Sequence, residues 1–141
     1  MRDAAGLRVW ALLARVRQLR VERARRRLGD ARAGAQRAAE ATAQQRDAIA
    51  RHRALRGDIL AACSGGAPGA SLWRAALRRH DAGSVALDAA LAVASDAEHK
   101  ARQRVVAALH ALQKETRGLD DARARLRRLV AEERDDHDSD D

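Results

Sequence analysis

A seven-residue repeat of apolar side chains in the second half of the chain restricts its fold more than any other feature. Starting at Trp73 and alternating steps of four and three residues to Leu129, the repeat meets apolar residues at thirteen of seventeen positions. A repeat sustained for more than three or four heptads predicts a coiled coil. The large residues that we expect in this seam are Trp73, Leu77, Leu87, Leu91, Val105, Leu112, Leu119 and Leu126.

Small side chains form the other row of the same seam. They are Ala94, Ala101, Ala108 and Ala122. Large and small residues that alternate in this way let two helices approach closely, and a strict seven-residue period predicts a left-handed supercoil. The repeat passes through Gly83 and Gly118 without changing phase, which favours one continuous helix, although a break at residues 81–84 stays open.

A short segment rich in glycine separates this helix from the first half of the chain. It contains the only proline, together with Gly-Gly and Pro-Gly pairs that stop helices, and Ser71 is placed to serve as the N-cap of the next helix. The bounds that we expect are a helix over about 4–62, a loop over 63–71, a helix over about 72–134 and a disordered acidic tail over 135–141. The expected fold class is therefore all-α, with two long helices forming one antiparallel coiled-coil hairpin.

Composition excludes most other folds. The chain has 141 residues, of which 35 are alanine, and it contains no Phe or Tyr and only two Trp. A thick globular core normally contains large aromatic side chains, and a β-sheet is rich in β-branched and aromatic residues. Ala, Leu, Arg and Glu instead favour helices. Two packed helices offer no concave cavity in which to desolvate a catalytic group, so we expect neither an enzyme nor a cofactor or metal site.

The first helix carries two apolar stripes rather than one. The first stripe is Val9, Leu12, Val16 and Leu19. The second, displaced by about one residue, is Ala24, Leu28, Ala31, Ala35 and Ala38, and it continues through Ile49, His52 and Ile59. We expect loose packing where Thr42 and Gln45 interrupt the second stripe.

Charge is distributed unevenly along the chain. Residues 1–28 carry a net charge of +7 and residues 132–141 a net charge of −6, within a total of +8. A hairpin that turns near Ala67 places residue i opposite roughly residue 134 − i. Glu98 would then face Gln36–Arg37 and Glu115 would face Leu19–Arg20, where these two acids could fix the register.

Three kinds of partner are compatible with the basic start of the chain. Nucleic acid could bind the arginines through its phosphates, but these arginines occupy several helix faces and lack aromatic stacking platforms. A membrane surface could bind residues 7–28 through Leu7, Trp10 and Leu13. The third hypothesis is a protein partner, with Trp10 as an interface anchor.

No apolar run is long enough for a membrane span. The single cysteine, Cys63, suits a reducing cytoplasm.

The segment from Leu12 to Leu28, LLARVRQLRVERARRRL, resembles the opening helix of the FliJ/YscO-like proteins of type III secretion and flagellar export, most closely the Hrp-type branch. Helix, break and second long helix match over nearly the whole chain. The resemblance implies a cytoplasmic, non-catalytic stalk that links the ring of the secretion ATPase to the export-gate protein, stimulates the ATPase and associates with export chaperones.

The resemblance also implies that the basic first helix meets acidic surfaces of the ring. The residues that we expect to bind the partner are Trp10, Arg15, Arg17, Arg20, Arg23 and Arg27. We expect Trp73 to close the seam beside the loop. A monomeric hairpin is favoured over a dimer, although a dimer could use the same seam. The alternative function is that of a basic coiled-coil nucleic-acid-binding protein.

Overall fold

Two α-helices make up the structure, a computed structural model that describes residues 2–64 and 69–140. Helix α1 spans Arg2–Ser64 and helix α2 spans Ala70–Ser139. The two helices pack against each other as an all-α helical hairpin, which confirms the predicted fold class. Most of the predicted loop, residues 65–68, lies outside the described residues.

The start of α2 differs from the predicted cap. The helix begins at Ala70, before Ser71, and the carbonyl of Gly69 accepts hydrogen bonds from the backbone N–H groups of Leu72 at 2.9 Å and Trp73 at 3.3 Å. Gly69 has a φ of 101°, a conformation that glycine adopts freely because it has no Cβ. The backbone of Gly69 therefore begins this helix, and the prediction of Ser71 as N-cap is wrong.

Helix α2 is continuous through both internal glycines, Gly83 and Gly118, so no break occurs at residues 81–84. It also runs further than expected, because the acidic segment predicted to be disordered is helical as far as Ser139. No glycine or proline follows Gly118 to stop it. In the last turn the hydroxyl of Ser139 donates a hydrogen bond of 2.8 Å to the carbonyl of Asp135.

The chain divides into two compact units. Unit 1 comprises Met1–Arg32 and Gln103–Asp141, and unit 2 comprises Ala33–Arg102, so each unit holds a segment of both helices. In a pair of long helices each heptad contacts only the heptads that face it, so the contacts separate into neighbouring sets.

The core of unit 1 is a narrow row of side chains from both helices. Val21, Ala24 and Leu28 of α1 are buried together with Leu119 and Ala122 of α2. The α1 residues recur at steps of three and four, the spacing of a coiled-coil seam. Half-buried residues extend the same spacing toward the N-terminus, and they are Leu7, Trp10, Ala14 and Arg17.

The first predicted stripe of α1 does not face α2. Val9, Leu12, Val16 and Leu19, which we call the outer stripe, are all exposed. At about 100° per residue the outer stripe lies about 150° around the helix from the row that contains Val21. A straight helix can present only one of these faces to its neighbour, and here that face is the row that contains Val21.

The core of unit 2 contains a polar residue at its centre. Thr42 is completely buried, and its hydroxyl lies 3.1 Å from the carbonyl of Ala38 and 3.3 Å from that of Ala94 on the other helix. Ile49 and Ala101 are buried in the same unit. The expectation of loose packing at Thr42 is wrong, because a small β-branched side chain that bonds its hydroxyl to backbone carbonyls fits the seam.

Candidate interaction surface

The segment of α1 from residue 8 to residue 27 presents a dense set of basic side chains. Those exposed to solvent are Arg8, Arg15, Arg20, Arg23, Arg25, Arg26 and Arg27. Within the described part of the chain, none of these guanidinium groups forms an ion pair with a carboxylate. Four of the six residues expected to bind a partner, Arg15, Arg20, Arg23 and Arg27, therefore lie open to solvent.

The other two expected partner-binding residues are turned toward α2. Arg17 is half-buried, and its Nη1 donates a hydrogen bond to the carbonyl oxygen of Gly118. A Cβ on Gly118 would come within 3.3 Å of the same Nη1, so the glycine leaves room for the guanidinium. Trp10 is also half-buried, seven residues before Arg17 in the same row. Arg17 therefore contacts α2, and Trp10 is partly covered in the same row of α1.

The position of Trp10 also bears on the hypothesis that residues 7–28 bind a membrane surface. Leu7, Trp10 and Leu13, which would have to face the lipid, are all half-buried in unit 1. A surface helix needs its apolar face free to enter the headgroup region. The face on which that reading depended is therefore occupied within the protein.

Three of the exposed arginines line a groove on unit 1. Arg20, Arg23 and Arg27 surround a space of about 250 Å³, together with Glu115 of α2. Its floor is made of small residues, which are Ala24, Ala108 and Ala111. The lining contains three arginines and one glutamate, so the groove has an excess of positive charge and can hold a carboxylate or a phosphate. Glu115 lines the same groove as Arg20.

The second seam acid does not fix the register as expected. Glu98 is buried, but its carboxylate pairs with Arg102, four residues later on the same helix. No bond to the expected Gln36 or Arg37 is found within the described residues. Because the partner lies on α2 itself, this pair contributes to α2 and does not link the two helices.

The α2 repeat lies on the face toward α1. All of its seventeen positions except Trp73 are buried or half-buried, including Leu77, Leu87, Leu91, Val105, Leu112, Leu119 and Leu126. Trp73 is 45 % exposed, so it does not close the seam as expected. A large indole beside the end of a two-helix seam has too few neighbours to cover it.

Sequence reasoning missed a pair of histidines in unit 2. His52 and His80 occupy facing seam positions, and their rings stack. The expected register would have put His52 opposite roughly residue 82, so the pairing could have been found from the two positions. His80 Nδ1 is buried without a hydrogen-bond partner among the described atoms and lies 3.6 Å from Asp81 Oδ1.

An ion pair joins the helices at the surface beside these histidines. Arg56 Nε donates a hydrogen bond of 2.9 Å to Asp81 Oδ1. The hydrogen bond from Arg56 holds the pKa of the Asp81 carboxyl below its ordinary value, and the carboxylate in turn raises the pKa of Arg56. Both side chains are largely exposed, so the pair links the helices weakly.

The described residues contain neither a cluster suited to a metal ion nor a stretch suited to a membrane span. No group of three or more His, Cys, Asp or Glu side chains in residues 2–64 and 69–140 is placed to hold a metal ion. Neither helix, over the same residues, has a stretch both long and apolar enough to cross a bilayer. No protein-family model, curated protein or solved structure matches the chain, so the resemblance to FliJ/YscO-like proteins rests on its own residues.

Proposed function

We propose that this protein is a non-catalytic, cytoplasmic stalk or adaptor of a type III secretion export apparatus. In this role it links the secretion ATPase ring to the export-gate protein, stimulates the assembly or activity of the ATPase, and associates with export chaperones. It acts as a monomeric hairpin. The observation that carries the proposal is the set of exposed arginines at residues 8–27 of α1 that have no carboxylate partner among the described residues, on a two-helix hairpin of the kind the resemblance implies.

The initial encounter with the ATPase ring is driven by electrostatic attraction. Arg15, Arg20, Arg23 and Arg27 form a basic surface that attracts an acidic one, because complementary charge speeds encounter and selects the partner. Arg17 does not take part, since its guanidinium is bonded to the carbonyl of Gly118. Arg17 instead helps to hold the face of α1 that presents the other arginines.

Charge reversal tests this proposal. The triple variant Arg15→Glu, Arg20→Glu and Arg23→Glu is expected to lose binding to the cognate secretion ATPase and to lose stimulation of ATP hydrolysis. Circular dichroism should show unchanged helicity, because all three side chains are exposed. The measurements are a pull-down with the purified ATPase and its rate of hydrolysis.

The matched control reverses three exposed arginines of α1 in unit 2, which are Arg46, Arg51 and Arg53. This control changes the net charge by the same amount and should leave ATPase binding intact. The proposal is wrong if the wild-type protein does not bind or stimulate the ATPase, or if both triple variants behave alike.

A second candidate function is binding to nucleic acid. The observation in its favour is the groove of Arg20, Arg23 and Arg27, whose guanidinium groups could bracket a phosphate. It predicts that duplex DNA shifts in a gel with an affinity that falls steeply as salt rises, since bound counterions are released. A shift lost in the Arg15, Arg20 and Arg23 reversal, with no effect on ATPase activity, would favour this second function.

A further inference from the structure

The outer stripe of α1 has the spacing of a second coiled-coil seam. Its residues Val9, Leu12, Val16 and Leu19 follow each other at steps of three, four and three, with exposures of 63 %, 63 %, 37 % and 53 %. In heptad terms the valines occupy a positions and the leucines d positions. A β-branched residue at a with leucine at d is the combination favoured in two-stranded coiled coils. Helix α1 therefore carries one seam that α2 covers and one that is open.

Four of the six positions that flank the outer stripe are basic, and the other two are Leu13 and Glu22. In the same heptad frame Arg8 and Arg15 occupy g positions, and Arg20 and Arg27 occupy e positions. All four are exposed and have no ion-pair partner within the described part of the chain. The single acid in these flanks, Glu22, accepts a hydrogen bond of 3.3 Å from Gln18 Nε2.

The heptad also continues beyond Leu19, but with charge in place of apolar side chains. The next a and d positions are Arg23 and Arg26, both exposed. In a coiled coil the e and g residues choose the partner by charge, and a polar residue at a specifies which helix pairs with which. The face from residue 8 to residue 27 is thus an apolar strip flanked mainly by arginine on both sides and followed by arginine at its C-terminal end.

We infer that the outer stripe is a docking site for one acidic amphipathic helix of another protein. That helix would bring aliphatic residues to its own a and d positions and Glu or Asp to its e and g positions, where they pair with Arg8, Arg15, Arg20 and Arg27. An acidic residue of the same helix would meet Arg23. The inference rests on the proposed function in one respect, that this segment of α1 binds a protein, and it deepens that function by naming the chemistry of the partner.

A second copy of this chain is a poor occupant of the same face. Two outer stripes packed in parallel would bring Arg15 of each copy against Arg20 of the other, whereas only Glu22, opposite Arg27, would attract. In a parallel pair Arg23 would also meet Arg23. Like charges across e and g positions oppose association, so the same charges that attract an acidic helix disfavour self-pairing.

A lipid surface is also a poorer fit than a helix. The outer stripe is a narrow seam of a and d residues, whereas helices that lie in a membrane interface present a broad apolar face. Trp10, the residue best suited to anchor at a headgroup region, is half-buried on the α2 side. The exposed apolar surface therefore has the width of a partner helix.

The test uses the full chain and a defined probe. The probe is a synthetic helix of about four heptads with valine at a, leucine at d and glutamate at e and g, labelled for fluorescence anisotropy. Wild-type protein should bind it with an affinity that weakens as salt rises. The variant Val9→Gln with Val16→Gln should bind at least about tenfold more weakly, and Arg15→Glu with Arg20→Glu should also weaken binding.

The chain offers a closely matched control. Val85 and Val93 of α2 are each 71 % exposed, so Val85→Gln with Val93→Gln makes the same chemical change elsewhere on the surface. This variant should bind the acidic probe as the wild type does. Unchanged circular dichroism in both pairs shows that the helices are retained.

Four results would overturn the inference. The first is no more binding to the acidic probe than to the same peptide with lysine in place of glutamate. The second is equal binding by the two valine pairs. The third is self-association, seen in sedimentation, that only Val9→Gln with Val16→Gln abolishes. The fourth is binding to phosphatidylserine vesicles, but not to the probe, that the same pair abolishes. Probe binding without ATPase stimulation would count against the proposed function alone.

Discussion

His52 and His80 stack face to face across the two helices, with ring centroids 3.6 Å apart and ring planes within 5° of parallel. His52 Nε2 donates to the carbonyl of His80 at 2.9 Å, and His80 Nε2 donates to the carbonyl of His52 at 2.6 Å. Ser84 Oγ lies 3.1 Å from His52 Nε2 and extends the contact. Two polar residues thus occupy facing seam positions in unit 2 and bond reciprocally.

The stacked pair should be energetically coupled. In a double-mutant cycle of His52→Ala and His80→Ala, we expect a coupling of about 0.5–1.5 kcal/mol, because either substitution removes the stacking that the other would remove. Urea unfolding of the four proteins measures it. The exposed histidines His99 and His110 provide the control cycle, which should be additive. Additive effects at His52 and His80 would contradict the coupling.

Arg17 should contribute more than Arg15 to the free energy of unfolding. Arg17→Ala removes a half-buried guanidinium bonded to the Gly118 carbonyl and is expected to cost about 1–2 kcal/mol of unfolding free energy. Arg15→Ala, at an exposed position two residues away, should change stability by less than about 0.5 kcal/mol. Chemical denaturation distinguishes them. Equal effects would show that the bond to Gly118 contributes nothing.

Substitution by alanine should change stability in opposite directions at Gly29 and at Gly69. Gly29 lies inside α1 with no atom within 4 Å of an added Cβ, so Gly29→Ala should stabilise by about 0.5–1 kcal/mol through helix propensity. Gly69 also has open space, but its φ of 101° strains any residue with a Cβ, so Gly69→Ala should cost about 1–2 kcal/mol. Thermal unfolding measures both. A stabilising Gly69→Ala would contradict the strain.

The ion pair of Arg56 and Asp81 predicts a pH dependence with a definite sign. Arg56 lowers the pKa of Asp81 in the folded state, so its contribution to stability is present above the unfolded pKa of about 3.9. That contribution is lost as the pH falls through the lower folded pKa. NMR titration should find a higher pKa for Asp81 in Arg56→Gln than in the wild type. The control Arg53→Gln should leave the Asp81 pKa unchanged, and no rise in Arg56→Gln would contradict the prediction.

The residues of α2 that face α1 could be predicted almost completely from the spacing of apolar residues in the sequence. One stripe from Leu77 to Leu129 dominates the helix, and no competing stripe of similar apolarity exists, so the face toward α1 follows from periodicity. Trp73 is the exception, because its burial depends on neighbours beside the loop and not on its place in the repeat. The bonding of Thr42 to Ala94 likewise depends on which carbonyl the opposite helix presents.

Helix α1 could not be read in the same way, because residues 7–28 contain two overlapping heptad stripes. By apolarity alone the outer stripe is the better seam, since the row that packs on α2 includes Arg17 and Ala14. Val21, Ala24 and Leu28 of that row are nevertheless the buried residues, and the outer stripe is exposed. The half-buried Arg17 is accommodated because Gly118 opposite it has no side chain.

The sequence by itself determined that this protein is helical, where its two helices meet and which face of α2 is apolar, because propensity and periodicity act along the chain. The tertiary structure decided which of two stripes on α1 is buried and which arginines stay free for a partner. That choice depends on the shape of the opposite helix at each position. The residue pattern of one helix alone does not predict the shape of the other.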